Sequence, residues 1–417
     1  MERLFCLYGL REEDDGERQD MQSSTSSGVR LHFIVILGSL IAFAPLSIDM
    51  YLPAFPAIAS DLGASAGAVQ ATLAVFFIGL ALGQGVVGPI SDRTGRLPPL
   101  LAGILVYVGA SIWAALATNI ESLLAARFLQ ALGGCAGIVI SRAMVRDLFS
   151  EQASAQVYSL LMLVMGLAPI LAPMIGGFLI QHYEWPIIFW VLAAFGLACV
   201  PAVILGLGET LPKEERQRES GLKKVLRAYL ALCLDQPFMG FALANAFIAA
   251  GMFAYITGSP FVFIELHGLT PGGYALLFGA NAGGLILAAQ INALLLRRYS
   301  SRAVLKVAMG IQLVAALSVL AVTIFVPQAF LPLVLSIFVA VASLGFIGAN
   351  ATAAAMARAE GHIGAASALT GILQFALAAI AGALVGLFND GSAMPMALTI
   401  AGTSIAGMLS GRMARGA

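Results

Sequence analysis

Twelve stretches of about 20 mainly apolar residues follow one another along this 417-residue chain, each long enough to cross a bilayer core of ~30 Å as a helix. The fold class that follows is an all-α membrane protein. Charged residues make up 11% of the chain, against about 25% in soluble domains. A mean hydropathy of +0.93 leaves no room for a large soluble domain. With 22 Lys+Arg against 22 Asp+Glu, no nucleic-acid partner is indicated. Cys6, Cys135, Cys199 and Cys233 are too scattered for a disulfide framework or a metal site, and read as packing residues.

The longest polar interval separates spans six and seven, so the chain divides into two bundles of six. The expected organisation is a disordered tail over 1–30, an N-terminal bundle over 31–208, a linker over 209–237, a C-terminal bundle over 238–411 and a short tail over 412–417. Span one is expected to run over 31–52. The first twenty residues lack the apolar core of a signal peptide and read as an optional extension, with a later start at Met21 as the alternative. Lys and Arg mark the cytoplasmic side of membrane proteins. All the basic residues but Arg127 fall in the tails and on one set of alternating turns, so both termini are expected in the cytoplasm.

Arg127 lies inside span four, roughly 10 Å from its outer boundary, and Asp49 is the only carboxylate of span one, at a similar expected depth if that helix runs on to about Pro56. Charges inside a membrane are costly, usually pair, and mark ion or substrate paths. Asp49 and Arg127 are therefore expected to face each other. One reading is a structural ion pair; the other makes Asp49 a protonation site tuned by Arg127. The spans contain no acid pair, metal cluster or nucleophile with a base, and no phosphate-binding Gly-rich loop, so an enzyme or an ATP-driven pump is not indicated, nor is any cofactor or metal.

The turn between spans two and three reads Gly88-Pro-Ile-Ser-Asp92-Arg93-Thr-Gly95-Arg96. It resembles motif A of the major facilitator superfamily, whose acid and bases form a cytoplasmic latch between the two halves. Arg127-Phe-Leu-Gln130-Ala-Leu-Gly133-Gly134 resembles motif B of its drug/proton antiporters, whose arginine is implicated in proton coupling. Ala172-Pro173-Met-Ile-Gly176-Gly177 resembles their antiporter motif, with Ala172 in place of the usual glycine; its own chemistry implies a kinked, closely packed helix. Further segments, among them Ser47-Ile-Asp-Met-Tyr-Leu-Pro53, Met144-Val-Arg-Asp147 and Glu209-Thr-Leu-Pro212, are similar to the Bcr/CflA branch of multidrug exporters, including bicyclomycin-resistance proteins. The resemblance implies the major facilitator fold, export of small molecules of the bicyclomycin or chloramphenicol type, and a bacterial inner membrane.

A substrate would sit near the midplane between the halves. Polar or aromatic residues inside the spans are the candidates: Tyr51, Gln70, Gln130, Asn245, Phe253, Tyr255 and Gln374, with Gln84, Asn281 and Asn350 in the same class. Ser259-Pro260 is expected to break span seven near its outer mouth. Aligning Pro53 with Pro260 places Ile256 opposite Asp49, so the proton site is expected to be single and N-terminal. Such an apolar cavity suits amphipathic, neutral or weakly cationic molecules. The expected partners are thus a small molecule, protons and lipid around a monomer. The alternative is an exporter or facilitator of a sugar or amino-acid-derived metabolite, with Asp49 purely structural.

Overall fold

A computed structural model describes residues 32–149, 151–213, 216, 222–359 and 363–414. The tail over 1–30 lies outside them, as does most of the stretch from 214 to 221. Among the described residues there are helices and no strand. Eleven helices are long and apolar enough to cross a membrane, and a bent pair at the N-terminus makes up to twelve.

The bent pair corrects the expected first span. It comprises α1 (His32–Ile41), α2 (Phe43–Asp49), a 3-10 turn (Leu52–Ala54) and α3 (Phe55–Asp61), with a 42° bend between α1 and the rest, at the break between Ile41 and Phe43. The α-helical ladder stops at Asp49 because Pro53, four residues on, has no N–H to give the Asp49 carbonyl. The chain then continues to Asp61, whose Oδ2 accepts a 2.8 Å bond from Trp185 Nε1. Asp49 is therefore farther from the outer end of its span than the 31–52 limits implied.

The remaining N-terminal spans are α4 (Ala66–Thr94), α5 (Leu97–Ala115), α6 (Ile120–Leu148), α7 (Glu151–His182) and α8 (Pro186–Gly206). The linker carries a short helix, α9 (Leu222–Leu234), before α10 begins at Gln236. α10 (Gln236–Pro260) is followed by α11 (Pro271–Leu295), α12 (Ser301–Phe325), α13 (Phe330–Met356), α14 (Ile363–Leu387) and α15 (Met394–Met413). Side-chain oxygens of Ser65, Asn119, Asp235, Thr270 and Ser300 cap the starts of α4, α6, α10, α11 and α12, each meeting an orphan backbone N–H.

Span seven is not broken at Ser259-Pro260. Past Pro260 the chain winds on as a π-helical turn, Phe261–Leu266, closed by His267 N–H on the Val262 carbonyl at 3.1 Å. The wider turn takes up the register lost at the proline and keeps the backbone bonded, as lipid requires.

Within the first half α6 packs on α4 and α5, and α5 on α8; within the second, α10 packs on α13 and α15, and α12 on α13 and α15. Two seams join the halves: α4 against α14, and α7 against α11. Small residues let the backbones approach there, the usual currency of helix packing in lipid. Gly67 of α4 abuts the Gly386 carbonyl of α14, and a side chain at Gly177 of α7 would lie 3.2 Å from the Pro271 carbonyl oxygen at the start of α11. Both contacts sit at the end of the bundle that is poor in Lys and Arg.

Candidate functional site

Arg127 is fully buried in the N-terminal half, held by α6. Its guanidinium carbon lies 4.2 Å from the ring centroid of Phe76 on α4, 4.6 Å from that of Tyr51 and 5.8 Å from that of Phe189 on α8. Nη1 donates to Gln130 Oε1 at 2.5 Å, one helical turn along α6, and Gln130 Nε2 donates to Ser111 Oγ on α5 at 2.8 Å. Nε and Nη2 have no hydrogen-bond acceptor among the described residues. Aromatic faces stand where an acceptor would be, an arrangement that holds a desolvated cation through the ring quadrupoles.

Asp49 is not Arg127's partner. No ion pair joins them among the described residues, and the reason is helical geometry. Ser47 and Tyr51, four residues apart, both turn into the N-terminal half: the Ser47 and Tyr107 hydroxyls are 2.7 Å apart, and those of Tyr51 and Thr72 3.0 Å. Asp49 is two residues from each, so it is rotated by about 200° to the opposite face. The 3-10 turn Leu52–Ala54 that follows touches α10 and α11 of the other half, and Tyr255 on α10 and Tyr274 on α11 feel the charge of the Asp49 carboxylate. Asp49 is 3% exposed. Asn281 Nδ2 donates to the Tyr255 hydroxyl at 2.8 Å, the Ser259 and Tyr274 hydroxyls are 2.9 Å apart, and Asn281 Oδ1 is buried with no partner.

The substrate candidates thus fall into four groups. Tyr51 and Gln130 belong to the Arg127 cage. Gln70 lies at the basic-poor end of the α4–α14 seam, where its Oε1 accepts a 3.2 Å bond from Asn389 Nδ2. Phe253 and Tyr255 line the contact between halves: Phe253 packs on Phe77 of α4 at 4.6 Å and on Phe375 of α14 at 5.8 Å. Asn245 and Gln374 are half-buried on α10 and α14. Gly176 of α7 lies against the Met50 carbonyl, one residue from Asp49, and Gly177 against Pro271 and Ala275 of α11. α7 stays helical through Pro169 and Pro173.

The turn at Gly88 to Arg96 is tied to the N-terminal half and the linker. Arg96 Nε and Nη2 grip Asp147 at the end of α6 at 2.7 and 3.2 Å, while Nη1 donates to Asp92 at 2.5 Å and to Ser91 at 2.9 Å. Burial works against the Arg96 charge, but Asp147 and Asp92 outweigh it and raise its pKa. Glu209, at the start of the linker, accepts the backbone N–H groups of Arg96 at 2.8 Å, Leu97 at 3.2 Å and Leu211 at 3.1 Å, and lies 3.7 Å from Arg216. Gly95 makes this possible: its φ is +97°, and a Cβ there would stand 2.5 Å from Glu209 Oε2. The bonds described for Asp92 and Arg96 therefore do not reach the C-terminal half, as the resemblance to a latch between halves implied. Glu209 and Asp147 were legible only as members of similar segments. The Arg127 cage residues Phe76 and Phe189 carried no signal beyond apolarity.

A family model described as Major Facilitator Superfamily matches residues 37–383. The chain is 38% identical to an uncharacterized MFS-type transporter, YdgK, of Bacillus subtilis (strain 168), over 91% of this chain and 94% of that one. It is 32% identical to a bicyclomycin resistance protein homolog of Haemophilus influenzae, with the same two coverages. In fold it is similar to the nucleoside transporter NupG, with a TM-score of 0.73 at 12% identity over 92% of this chain and 99% of that one. Eleven to twelve candidate spans among the described residues, the Arg96 turn and a match over most of the length agree: the chain belongs to the major facilitator superfamily of membrane transporters.

Proposed function

We propose that the chain is a proton-coupled antiporter that exports amphipathic, neutral or weakly cationic drug-like molecules across a bacterial cytoplasmic membrane, as a monomer with both termini in the cytoplasm. The observation that carries this reading is Asp49: a buried carboxylate with no cationic partner among the described residues, at the point where the first span passes from α-helix to a 3-10 turn, on the face opposite Ser47 and Tyr51 and with its charge felt by tyrosines of the other half. A charge buried without a partner is costly, so a proton or a cationic substrate is what relieves it, and the two compete for one position. Similarity to a bicyclomycin resistance protein homolog supports the drug class.

The arrangement suggests a cycle in which the halves rock about the seams α4–α14 and α7–α11. With Asp49 deprotonated, substrate loads from the cytoplasm; a proton arriving from outside displaces it and favours release. Arg127 acts as a fixed positive field within the N-terminal half. Phe253, Tyr255 and Asn281 would meet the substrate on the C-terminal side, and Gln70 with Asn389 would close the outer end. One proton moving through 100 mV gains about 2.3 kcal/mol, which supports a gradient of about 50-fold.

The test is proton release from purified, detergent-solubilised protein on addition of bicyclomycin or chloramphenicol. Substrate-dependent release that is lost in Asp49→Asn supports the reading. Binding without release in the unaltered protein, or release that persists in Asp49→Asn, removes Asp49 from the mechanism and favours a facilitator or exporter of a metabolite.

A further inference from the structure

One cavity is lined by none of the candidate site residues. It is an open groove of about 890 Å³ on the outer face of α12, bordered by α13. Val307, Ile311 and Val314 on α12 and Leu335 on α13 form its walls, and these four side chains are 48–66% exposed. In a membrane this face meets acyl chains rather than water. Gly310 forms part of the floor, with nothing within 4 Å of where its side chain would stand.

One charged residue lines the groove, Lys306, and it sits at one end. The first turn of α12 adds Arg302, one helical turn before Lys306, and the preceding loop adds Arg298, both exposed. No acid neutralises these three among the described residues, and the segment from Leu295 to Lys306 contains no Asp or Glu. From Ala303 to Ser318 the groove follows α12 for roughly 22 Å, somewhat longer than the ~15 Å of hydrocarbon in one leaflet. Lys306 lies about 8 Å inside the start of its helix, a depth from which a lysine reaches the interface with its stem along apolar surface.

We infer that this groove is a binding site for one anionic phospholipid of the basic-side leaflet, its acyl chain along Val307, Gly310 and Val314 and its phosphate on Lys306 and Arg302. A zwitterionic lipid would fill the same groove without the gain from unneutralised bases. Basic pockets between helices at the cytoplasmic face select anionic headgroups on this principle. A free phosphate would find the bases but nothing to hold it in an apolar channel. The inference shares with the proposed function only the placing of the basic turns at the cytoplasmic leaflet, and it does not depend on proton coupling.

Native mass spectrometry of the full chain, released from detergent after incubation with equal amounts of phosphatidylglycerol and phosphatidylcholine, tests it. The unaltered protein should retain phosphatidylglycerol preferentially. Each base removed, in Lys306→Gln and Arg302→Gln, should lower that preference about fivefold. Gly310→Phe, which fills the groove and leaves the bases, should reduce retention of both lipids. Equal retention of the two lipids by the unaltered protein, or an unchanged preference in the Lys306→Gln, Arg302→Gln double variant, overturns the inference. Both Gln substitutions are at exposed positions, so that arm stands even if Gly310→Phe does not fold. Inorganic phosphate added at the same concentration should not compete; full competition would replace the lipid with a headgroup-only anion site and overturn the assignment too.

Discussion

Replacing Gly176 by alanine adds one methyl group at the point where α7 packs on Met50, just past the end of α2 in the first span. On propensity alone it should help, because Ala is favoured over Gly inside a helix by about 1 kcal/mol. Geometry says the reverse. The new Cβ would overlap the Met50 carbonyl oxygen and stand 2.9 Å from its carbon and 3.0 Å from Cα, well inside the 3.4 Å at which ordinary contact begins. These are backbone atoms, which cannot swing away as a side-chain tip can, so α7 and the Met50 segment must separate. Overpacking of this kind costs about 1–3 kcal/mol, leaving a net loss of up to about 2 kcal/mol after the propensity gain. Gly109 is the control: it is exposed on α5, also inside a helix, and a Cβ there meets nothing within 4 Å. Gly109→Ala should hold or gain stability by up to about 1 kcal/mol. Thermal unfolding in one detergent should therefore place Gly176→Ala below the unaltered protein and Gly109→Ala at or above it. Because Met50 adjoins Asp49, Gly176→Ala should also weaken substrate-dependent proton release, whereas Gly109→Ala should not. If the two variants melt together, the crossing is not tight and the packing argument is wrong.

Two further outcomes follow from buried charges. Gln130→Leu removes the one acceptor on the Arg127 guanidinium and leaves Ser111 without its donor; stranding a buried cation in this way should cost about 3 kcal/mol or more, seen as a lower unfolding temperature, while Gln130→Glu should restore part of it. At Glu209, burial raises the carboxyl pKa, but the N–H groups of Arg96, Leu211 and Leu97, with Arg216, outweigh it and hold the pKa below its ordinary 4.5. A pKa lowered by folding contributes stability that is present above the unfolded value and is lost as pH falls through the folded one. The stability gap between the unaltered protein and Glu209→Gln should thus be constant from pH 7 to about 5 and shrink below about 4.5; a gap unchanged down to pH 3 would show that Glu209 is not the cap of α5.

The apolar spans, Arg127 as a base inside one of them and the turn at Gly88 to Arg96 were legible in the chain, because each is a property of one short segment. An apolar run is long enough for lipid or it is not, and a charge lies inside it or outside. The partner of Asp49 was not legible, because it depends on azimuth. Depth along a helix can be counted from sequence, but which face turns inward is set by the neighbours: Ser47 reaching Tyr107 and Tyr51 reaching Thr72 commit one side of the first span to its own half and send Asp49 the other way. The same limit hid Phe76 and Phe189, whose rings hold Arg127 without any polar signature. Proline-bearing breaks show the division most clearly. Pro53 and Pro260 both remove a backbone donor, and the sequence determined that much. Whether the chain answered with a 3-10 turn, as after Asp49, or with a π turn, as after Pro260, was decided by the tertiary structure, since only the surrounding helices determine where the freed carbonyl and the following turn can go.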